Sequence, residues 1–250
     1  MKKLQDKVAI VTGASKGIGA AIARYLAKEG AAVVVNYASS KKDADRVVDE
    51  IARGGGRAVA LQANVAKHED IERLFAETKK AFGRLDILVN NAGLYEFSPL
   101  EEITEEHVRK LFDVNVLGVL FASQAAARYF DAAGGSIINI GSVATSQTLP
   151  STVVYTASKA AVEAITQTLA KELGPRNIRV NAITPGGVET EGVHAAGLLG
   201  SDFAKQLEAQ TPLGARIGQP QDIAPVAVFL ASADAAWITG EILRVAGGLR

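Results

Sequence analysis

The stretch Thr12-Gly13-Ala14-Ser15-Lys16-Gly17-Ile18-Gly19 decides the fold of this chain. It follows the apolar run Val8–Val11 and precedes a helical pattern over residues 20–27, so its three glycines lie where a strand turns into a helix. Glycine lets the backbone bend sharply and approach a ligand closely. Free backbone N–H groups and the positive end of the helix dipole then face that ligand. The stretch predicts a phosphate-binding turn; a glycine-rich turn without a ligand is the alternative.

Short apolar runs alternate with longer amphipathic stretches along the whole chain. Strands are predicted at Val8–Val11 and at residues 32–35, 58–61, 87–89, 137–140, 180–183 and 242–245. Helices are predicted at residues 18–29, 41–52, 68–82, 105–130, 156–173 and 222–231. This alternation gives an α/β fold, a doubly wound parallel sheet of about seven strands with helices on both faces. Because no linker or low-complexity segment interrupts it, we predict one domain over residues 1–250.

Composition excludes several classes of function. Lys plus Arg and Asp plus Glu number 27 each, so no overall field favours nucleic acid or acidic lipid. The absence of cysteine rules out disulfides, thiolate metal sites and cysteine nucleophiles, and the three histidines are too far apart in sequence to indicate a metal site. No run reaches the ~18 apolar residues that span a bilayer. We expect a soluble, cytoplasmic protein without a metal, a nucleic-acid partner or a membrane contact.

The end of the second predicted strand, Asn36-Tyr37-Ala38-Ser39-Ser40, bears on the cofactor. In a dinucleotide-binding fold an acidic residue here binds the ribose hydroxyls and would repel a 2′-phosphate. This chain has no acidic residue at that point, whereas Lys16 offers a cation and the two serines offer neutral donors. We therefore expect NADP(H) to be preferred and NAD(H) to remain possible. If Lys16 is only a solvated loop residue, the chain would accept both.

Asparagines follow two further strands. Asn64-Val65 comes after the third strand and Asn90-Asn91-Ala92-Gly93 after the fourth. Asparagine is common in turns, but ligands of doubly wound sheets bind at these carboxyl ends, so we predict ligand contacts here. Asn115 interrupts an apolar helical pattern, and a buried amide left unpaired costs about 1–3 kcal/mol. Bonding back to a helix carbonyl is the structural alternative for Asn115.

A reaction centre is indicated after the fifth strand. Ser142 follows that strand, and the segment Tyr155-Thr156-Ala157-Ser158-Lys159 begins thirteen residues later. Residues four apart share one face of a helix, so the Lys159 ammonium can lie near the Tyr155 phenol. A neighbouring cation lowers the pKa of a phenol from its usual value near 10, which makes Tyr155 a candidate general acid. Ser142 can hydrogen-bond the oxygen of a substrate.

Taken together, these signals resemble the short-chain dehydrogenase/reductase family. The resemblance covers nearly the whole chain through Thr12–Gly19, Asn64-Val65, Asn90–Gly93, Asn115, Ser142, Tyr155–Lys159, Pro185-Gly186 and Trp237-Ile238-Thr239-Gly240. It implies a Rossmann-like sheet, a nicotinamide cofactor and no metal. It also implies cofactor contacts at Gly13, Ser15, Lys16, Gly17, Ile18, Gly19, Asn36, Tyr37, Ala38, Ser39, Asn64, Val65, Asn91, Ala92, Gly93, Tyr155, Lys159, Pro185, Gly186, Val188 and Thr190.

The same resemblance assigns roles to a Ser-Tyr-Lys-Asn tetrad. Tyr155 would exchange the proton, Ser142 would orient the carbonyl, Lys159 would also hold the nicotinamide ribose, and Asn115 would position a water that relays protons. Three departures from the family pattern stand out: Asn64 replaces a frequent Asp, Gly187 follows Pro185-Gly186 so that the usual Thr is Thr190, and Ala246 replaces the Asp of Val-Asp-Gly-Gly.

The substrate is expected to be a small carbonyl compound or its alcohol. Residues 187–211 match the place of the family's substrate lid and mix Gly192, Gly197 and Gly200 with Val193, Leu198, Leu199 and Phe203, which predicts a mobile apolar cover. Tyr95, Phe97, Thr145 and Gln147 are expected on the opposite wall. These features favour an NADPH-dependent ketone reductase.

Several alternatives stay open. A 3-oxoacyl-acyl-carrier-protein reductase would use Arg176 to meet an acidic carrier, but residues 131–136 lack the positive cluster of dedicated members. A glucose-type dehydrogenase of the same branch is a second alternative, and a non-catalytic regulator that senses NADP(H) is a third. The resemblance also makes the helices at 105–130 and 156–173 the dimer seam of a homotetramer; ordinary packing on the sheet is the alternative.

Overall fold

The computed structural model describes residues 2–195, 197 and 200–249, and in them one parallel sheet forms the centre of the molecule. Its strands are β1 Val8–Val11, β2 Ala32–Tyr37, β3 Arg57–Gln62, β4 Ile87–Asn90, β5 Gly135–Ile140, β6 Ile178–Pro185 and β7 Ile242–Val245. The spatial order is β3-β2-β1-β4-β5-β6-β7, and every neighbouring pair runs parallel. The predicted doubly wound, Rossmann-like sheet is confirmed. Its order reverses between β1 and β4, where such sheets bind ligands.

Ten α-helices connect these strands within the described residues. They are α1 Gly17–Lys28, α2 Lys41–Arg53, α3 His68–Phe82, α4 Glu105–Phe112, α5 Gly118–Tyr129, α6 Ala144–Gln147, α7 Val153–Leu173, α8 Glu191–Ala195, α9 Asp202–Ala209 and α10 Pro220–Ala231. Short 3₁₀ turns lie at Leu100–Glu102, Gly174–Arg176 and Ala233–Ala235. The sequence predicted neither α6 nor the two short helices α8 and α9, since each is too short to show a helical period.

The central strands are buried on both faces, which explains their near-continuous apolar sequence. Side chains alternate between two cores: Val33 and Val35 pack with α1, α2 and α10, whereas Val34 between them packs with α3 and α5. This alternation fixes the register, because a shift by one residue would exchange the two faces. The sheet therefore holds the loops at its carboxyl edge in fixed relative positions.

The predicted single helix over residues 105–130 is wrong in one respect. A π-helical turn, Asp113–Leu117, lies between α4 and α5, so the helical path is continuous but its hydrogen-bond pattern changes. Such turns carry one extra residue and often mark functional sites. Here the turn contains the buried Asn115, whose amide reaches out of the helix towards the loop after β4.

Two further expectations concern the lid and the membrane. The described part of residues 187–211, where the sequence predicts the lid, contains α8 and α9; Leu198 and Leu199 lie outside the described residues, as does the side chain of Phe203. None of the helices given above combines the length and apolar character that crossing a bilayer requires.

Candidate active site

A cleft of about 1040 Å³ opens at the carboxyl edge of the sheet. Most of the predicted site residues line it, and they come from the carboxyl ends of six strands and from the loops and helices that follow them. They are Gly13, Ser15, Lys16, Gly17, Ile18, Asn36, Ala38, Ser39, Asn64, Val65, Asn91, Ala92, Gly93, Ser142, Tyr155, Lys159, Pro185, Gly186, Val188 and Thr190. Residues from distant parts of the sequence therefore meet in one continuous cleft.

Asn36 ties the glycine turn to the third strand. Its Oδ1 accepts a hydrogen bond from the Gly13 N–H at 3.1 Å, while its Nδ2 donates to the carbonyls of Leu61 at 3.2 Å and Ala63 at 3.1 Å. The residue is 1% exposed, and its own carbonyl accepts from the Ala14 N–H at 2.7 Å. The amide thus holds the turn in place, and its hydrogen-bonding groups are engaged by the protein itself.

The loop after β4 closes the other side of the glycine turn. Asn91 Nδ2 donates to the carbonyls of Thr12 and Gly13 at 2.9 and 3.1 Å, and the Thr12 hydroxyl accepts from the N–H groups of Asn91 and Ala92 at 3.0 Å. A Cβ on Gly19 would lie 2.4 Å from Asn91 Nδ2, which requires a glycine there. Gly19 does not itself line the cleft; it permits close packing behind the turn, and its contact with a cofactor stays a prediction.

The start of α1 has the properties expected of an anion site. Gly17 adopts φ +57°, which favours glycine, and its N–H donates to a carboxylate oxygen of Glu191 at 2.8 Å. An anionic group therefore already lies at the positive end of the helix. The exposed Lys16 precedes it, and Ala38 and Ser39 extend the cleft past the end of β2. Backbone donors, glycines without side chains and an exposed cation fit the diphosphate and ribose of a dinucleotide.

Tyr37 and Asn64, both predicted to contact the cofactor, also have structural roles. Tyr37 is 8% exposed, belongs to the core beneath α1 and α2, and does not line the cleft, so its side chain supports the fold. Asn64 lines the cleft, but its Oδ1 accepts from the Ala66 N–H at 3.0 Å. The Asp70 carboxylate accepts from the Asn64 N–H at 2.8 Å, and this bond, together with Arg73, lowers the pKa of Asp70 below its usual value.

Tyr155 and Lys159 lie at the other end of the cleft, one turn apart on α7. The Lys159 ammonium nitrogen is 5.9 Å from the centroid of the Tyr155 ring and donates to the Ile140 carbonyl at 2.9 Å. Lys159 is 6% exposed, and burial lowers its pKa from 10.5 to about 8. The predicted neighbourhood of phenol and ammonium is thus present in the structure.

The expected pKa of Tyr155 is wrong for this arrangement. Burial raises the pKa of Tyr155 above 10, and the hydrogen bond with the Ser142 side chain lowers it only in part. The reason is local: the ammonium is itself desolvated and bonded to Ile140. The Ser142 hydroxyl also accepts from the Ala144 N–H at 3.2 Å, which fixes its oxygen beside the phenol. Ser142 is thus the group whose hydrogen bond favours the phenolate form.

Asn115 acts on the loop beside this centre and does not line the cleft. Its Oδ1 accepts from the Leu94 N–H at 2.8 Å, and its Nδ2 donates to the Leu94 carbonyl at 2.9 Å and to Ser158 Oγ at 3.0 Å. Bonding back to a helix carbonyl, the structural alternative, is therefore wrong. A Cβ on Gly93 would lie 3.4 Å from both Asn115 Oδ1 and the Lys159 ammonium, so these groups surround one small space.

Aromatic and apolar side chains complete this end of the cleft. Tyr95 and Phe97 line it and are 39% and 49% exposed, although both are large. The Phe97 ring lies edge-on to the Tyr155 ring with 6.0 Å between centroids. Gln147 also lines the cleft, as predicted, whereas Thr145 does not, because its hydroxyl is bonded to the Ser142 carbonyl and to Glu163.

Sequence reasoning missed two residues at this site. Thr12 lies in the decisive stretch, but its role depends on a hydroxyl that contacts a loop 79 residues away. Glu191 carried no signal, because only the folded chain brings the short α8 to the start of α1. Among the described residues, no three His, Cys, Asp or Glu side chains are grouped closely enough to hold a metal ion.

The fold and the cleft define a nucleotide-binding α/β protein with Ser, Tyr and Lys side chains at the far end of the nucleotide groove. The family model described as enoyl-(acyl carrier protein) reductase matches residues 13–250. The chain belongs to the short-chain dehydrogenase/reductase family of oxidoreductases.

Individual relatives agree with this assignment over at least 96% of their length. A protein of Methylorubrum extorquens described as an uncharacterized oxidoreductase is 58% identical over 250 residues, 100% of both chains. The hydroxynaphthalene reductase-like protein Arp2 of Metarhizium majus is 44% identical over 258 residues, covering 99% of this chain and 96% of the relative. A short-chain dehydrogenase of Burkholderia cenocepacia, solved in complex with NADP, has a TM-score of 0.92 and 37% identity, with 99% of each chain covered.

Proposed function

We propose that the chain is an NADPH-dependent reductase that converts a ketone to a secondary alcohol. The observation that carries the proposal is the position of Ser142, Tyr155 and Lys159 in the same cleft as the glycine turn. The Burkholderia relative is described in complex with NADP, and the Metarhizium relative is named as reductase-like, which supports the cofactor and the direction. The exposed Lys16 and the absence of an acidic side chain at Ala38 and Ser39 support NADP(H) over NAD(H).

The cofactor-binding residues divide by their position along the cleft. Gly13 and Gly17 would hold the phosphates, with Lys16 at the 2′-phosphate and Asn64 and Val65 near the adenine. Lys159 and Thr190 would hold the nicotinamide ribose and amide. When bound, the reduced nicotinamide supplies the hydride.

The residues at the far end would then handle the proton. Ser142 and Tyr155 would both hydrogen-bond the carbonyl oxygen, which places the ketone carbon at the nicotinamide end of the cleft. As the carbonyl carbon gains the hydride, the oxygen becomes an alkoxide and takes the proton of the Tyr155 hydroxyl. The protonated Lys159 would stabilise the phenolate that remains. One ketone, one hydride and one proton give one secondary alcohol.

Asn115 would support this centre indirectly. Its amide is committed to Leu94 and Ser158, so a proton-relay water at this residue would have to use the backbone carbonyl. We propose that the side chain is a positioning group for the Leu94 loop.

A screen of ketones, sugars and secondary alcohols with NADP(H) and NAD(H), followed by the absorbance of the reduced nicotinamide, tests the function. We expect NADPH-dependent reduction of ketones and weaker activity with NADH. Oxidation of sugars in preference to these reactions would favour the glucose-type dehydrogenase. Binding of NADPH without turnover of any substrate would favour a non-catalytic regulator.

The acyl-carrier role is the second candidate, favoured by the description of the matching family model. One observation weakens it. Arg176 precedes β6, whose opposite, carboxyl end lines the cleft, and its guanidinium donates to the Ala127 carbonyl. Within one chain this cation is therefore remote from the cleft entrance. A large preference for an acyl-carrier thioester over a free ketone would overturn our choice.

We further propose a cytoplasmic homotetramer in which residues 187–211 cover the substrate. Exposed apolar side chains at Leu117, Leu120 and Val153, on or beside α5 and α7, support an interface along these helices. Sedimentation equilibrium tests the assembly, with a mass of four chains as the expected result.

A further inference from the structure

Two aromatic side chains stand exposed beside the candidate general acid. We call Tyr95 and Phe97 the aromatic shelf. Their ring centroids are 6.4 Å apart, and the Phe97 ring lies edge-on to Tyr155 at 70°. The shelf is the only pair of neighbouring exposed aromatic rings in the described cleft. Large aromatic surfaces left open next to a reacting group indicate a ligand that covers them.

The shelf is also held in place relative to Tyr155. The Ser98 N–H donates to the Ser151 carbonyl at 2.8 Å, which ties the shelf to the segment just before α7. Glu96 forms an ion pair with Lys110 of α4 at 2.5 Å. Both neighbours of Phe97 in the sequence are thus anchored. A fixed ring can recognise a planar group, because it loses little freedom when the ligand binds.

We propose that the aromatic shelf binds an aromatic ring of the substrate, so that the preferred ketones are fused-ring or aryl-bearing ones. The inference rests on the proposed ketone reduction. A carbonyl oxygen at Tyr155 and Ser142 leaves the ring of such a ketone within reach of Phe97. Offset or edge-on ring contacts add about two- to tenfold in affinity beyond the burial of apolar surface. Leu149, Val193 and Leu207 add apolar lining to the same cleft.

A pair of probes with one carbon skeleton isolates the ring contact. In 2-tetralone the carbonyl is not conjugated with the aromatic ring, and 2-decalone is its fully saturated counterpart. The ratio of kcat/KM for these two ketones is measured in the parent protein, in Phe97→Leu and in Leu100→Ala. Leu100 is 77% exposed on the same segment but does not line the cleft, so it is the matched control.

We expect the parent and Leu100→Ala to prefer 2-tetralone, and Phe97→Leu to lose that preference by about two- to tenfold. An unchanged ratio in a Phe97→Leu protein that still reduces both ketones overturns the inference alone. If the parent reduces neither ketone nor any other ketone with NADPH, the proposed function fails together with the inference.

A second, independent observation concerns Glu191. Its carboxylate accepts from the Gly17 N–H at the start of α1, the place where the diphosphate of a dinucleotide would bind. Glu191 is the first residue of α8, and the next residue, Gly192, packs so closely on Tyr95 that a Cβ would lie 2.3 Å from the Tyr95 hydroxyl. The short helix α8 therefore contacts both the glycine turn and the aromatic shelf.

We infer that Glu191 occupies the anion position of the cofactor, so that NADPH must displace it and α8 in order to bind. Two anions cannot share one backbone N–H group, and a carboxylate repels a diphosphate at short range. Cofactor binding and the movement of α8 are therefore coupled. The hydrogen bond between Glu191 and the Gly17 N–H must be broken before the cofactor binds, so its free energy weakens the binding of NADPH.

The test compares Glu191→Gln with Glu189→Gln. Both remove one carboxylate from the same segment, but the Glu189 carboxylate is bonded to Gln219 and His194, and no hydrogen bond or ion pair joins it to α1 in the described residues. The Kd for NADPH is measured by fluorescence, and hydrogen exchange of α8 is followed with and without NADPH. We expect the Kd of Glu191→Gln to fall by about two- to fivefold, with little change in Glu189→Gln. In the parent protein, NADPH should accelerate exchange in α8.

An unchanged or higher Kd in Glu191→Gln, with NADPH still bound by the parent, overturns this inference alone. Exchange in α8 that is insensitive to NADPH also overturns it. Failure of NADPH to bind the parent protein would overturn the proposed cofactor as well. A smaller gain from Glu191→Gln at high salt is expected, because ions screen the repulsion.

Discussion

The two ends of the cleft are built in opposite ways. At the glycine turn, the side-chain amides of Asn36 and Asn91 form hydrogen bonds with the protein's own backbone. At the far end, Tyr155 is half-buried and Lys159 is buried, the pKa values of both are displaced from those in water, and Phe97 is half exposed. The first end is fixed by the fold before any ligand arrives. At the second end, the fold keeps the Tyr155 phenol and the Lys159 ammonium desolvated, and a bound ligand can supply hydrogen bonds to them.

This difference indicates that the residues at the glycine turn mainly stabilise the fold, whereas those at the far end mainly serve the reaction. Buried hydrogen-bonded amides hold a turn, and their loss exposes unsatisfied partners. Buried titratable groups cost stability but gain the reactivity that proton transfer needs. Variants at the turn should therefore affect folding and cofactor affinity, whereas variants at the far end should affect turnover first.

The largest effect is expected from Tyr155→Phe, which removes the proposed proton donor and keeps the ring. Turnover with NADPH and a ketone should fall by about 10³-fold, because general acid catalysis is lost. The Kd for NADPH should stay within about twofold, since the glycine turn is untouched. Tyr129→Phe, at the end of α5, removes a remote hydroxyl and serves as the control. Undiminished ketone reduction by Tyr155→Phe would contradict the assigned mechanism.

A smaller effect, now on the free energy of unfolding, is expected from Asn36→Leu. The change leaves the Gly13 N–H and the carbonyls of Leu61 and Ala63 without their partner. We expect a loss of about 3 kcal/mol and a fall in Tm of about 6–12 °C in thermal unfolding. Affinity for NADPH should fall in parallel, because the turn loosens.

Asn64→Ala is the matched control for that prediction. Asn64 follows the neighbouring strand, but its side chain accepts one bond, from the Ala66 N–H. We expect a loss of about 1 kcal/mol. Equal destabilisation by the two variants would show that the glycine turn is not held by Asn36.

Much of the first end could be predicted from the sequence. Periodicity and the glycine spacing are local, so they place β1, the turn and α1 without knowledge of the rest of the chain. The partners of Asn36 and Asn91 could not be predicted in this way. Their hydrogen bonds reach residues 23 to 79 positions away, and only the completed sheet defines those distances.

At the second end, less of the site could be predicted from the sequence. The spacing of Tyr155 and Lys159 predicted one helical face, and the structure has it. The direction of the Tyr155 pKa was predicted wrongly, because burial depends on the loops that cover α7 and on the Ile140 carbonyl that holds Lys159. Likewise, the π-helical turn at Asn115 follows from its bonds to Leu94, a contact that periodicity does not register.

An effect on stability smaller than that of Asn36→Leu is expected at the far end of the cleft, where the Lys159 ammonium is buried. Lys159 is buried without a carboxylate partner in any described contact, and burial lowers its pKa to about 8. Below pH 8 both folded and unfolded chains carry the charge, so the folded state bears the full penalty of burying it. Between about pH 8 and 10.5 the unfolded chain still holds the proton and the folded chain does not. Stability of the parent protein therefore gains a contribution as pH rises through that window.

Lys159→Met removes this penalty while leaving the Ile140 carbonyl without its donor. We expect the variant to be about 2 kcal/mol more stable than the parent at pH 7, and the advantage to shrink as pH rises from 8 to 10. Denaturant unfolding at several pH values measures both quantities. Lys171→Met, at an exposed position of the same helix, should show neither effect. Turnover of Lys159→Met should be nearly lost. A gain in stability would therefore show that Lys159 is kept for chemistry at the expense of the stability of the fold. Destabilisation at pH 7 would instead show that the ammonium supports both catalysis and folding.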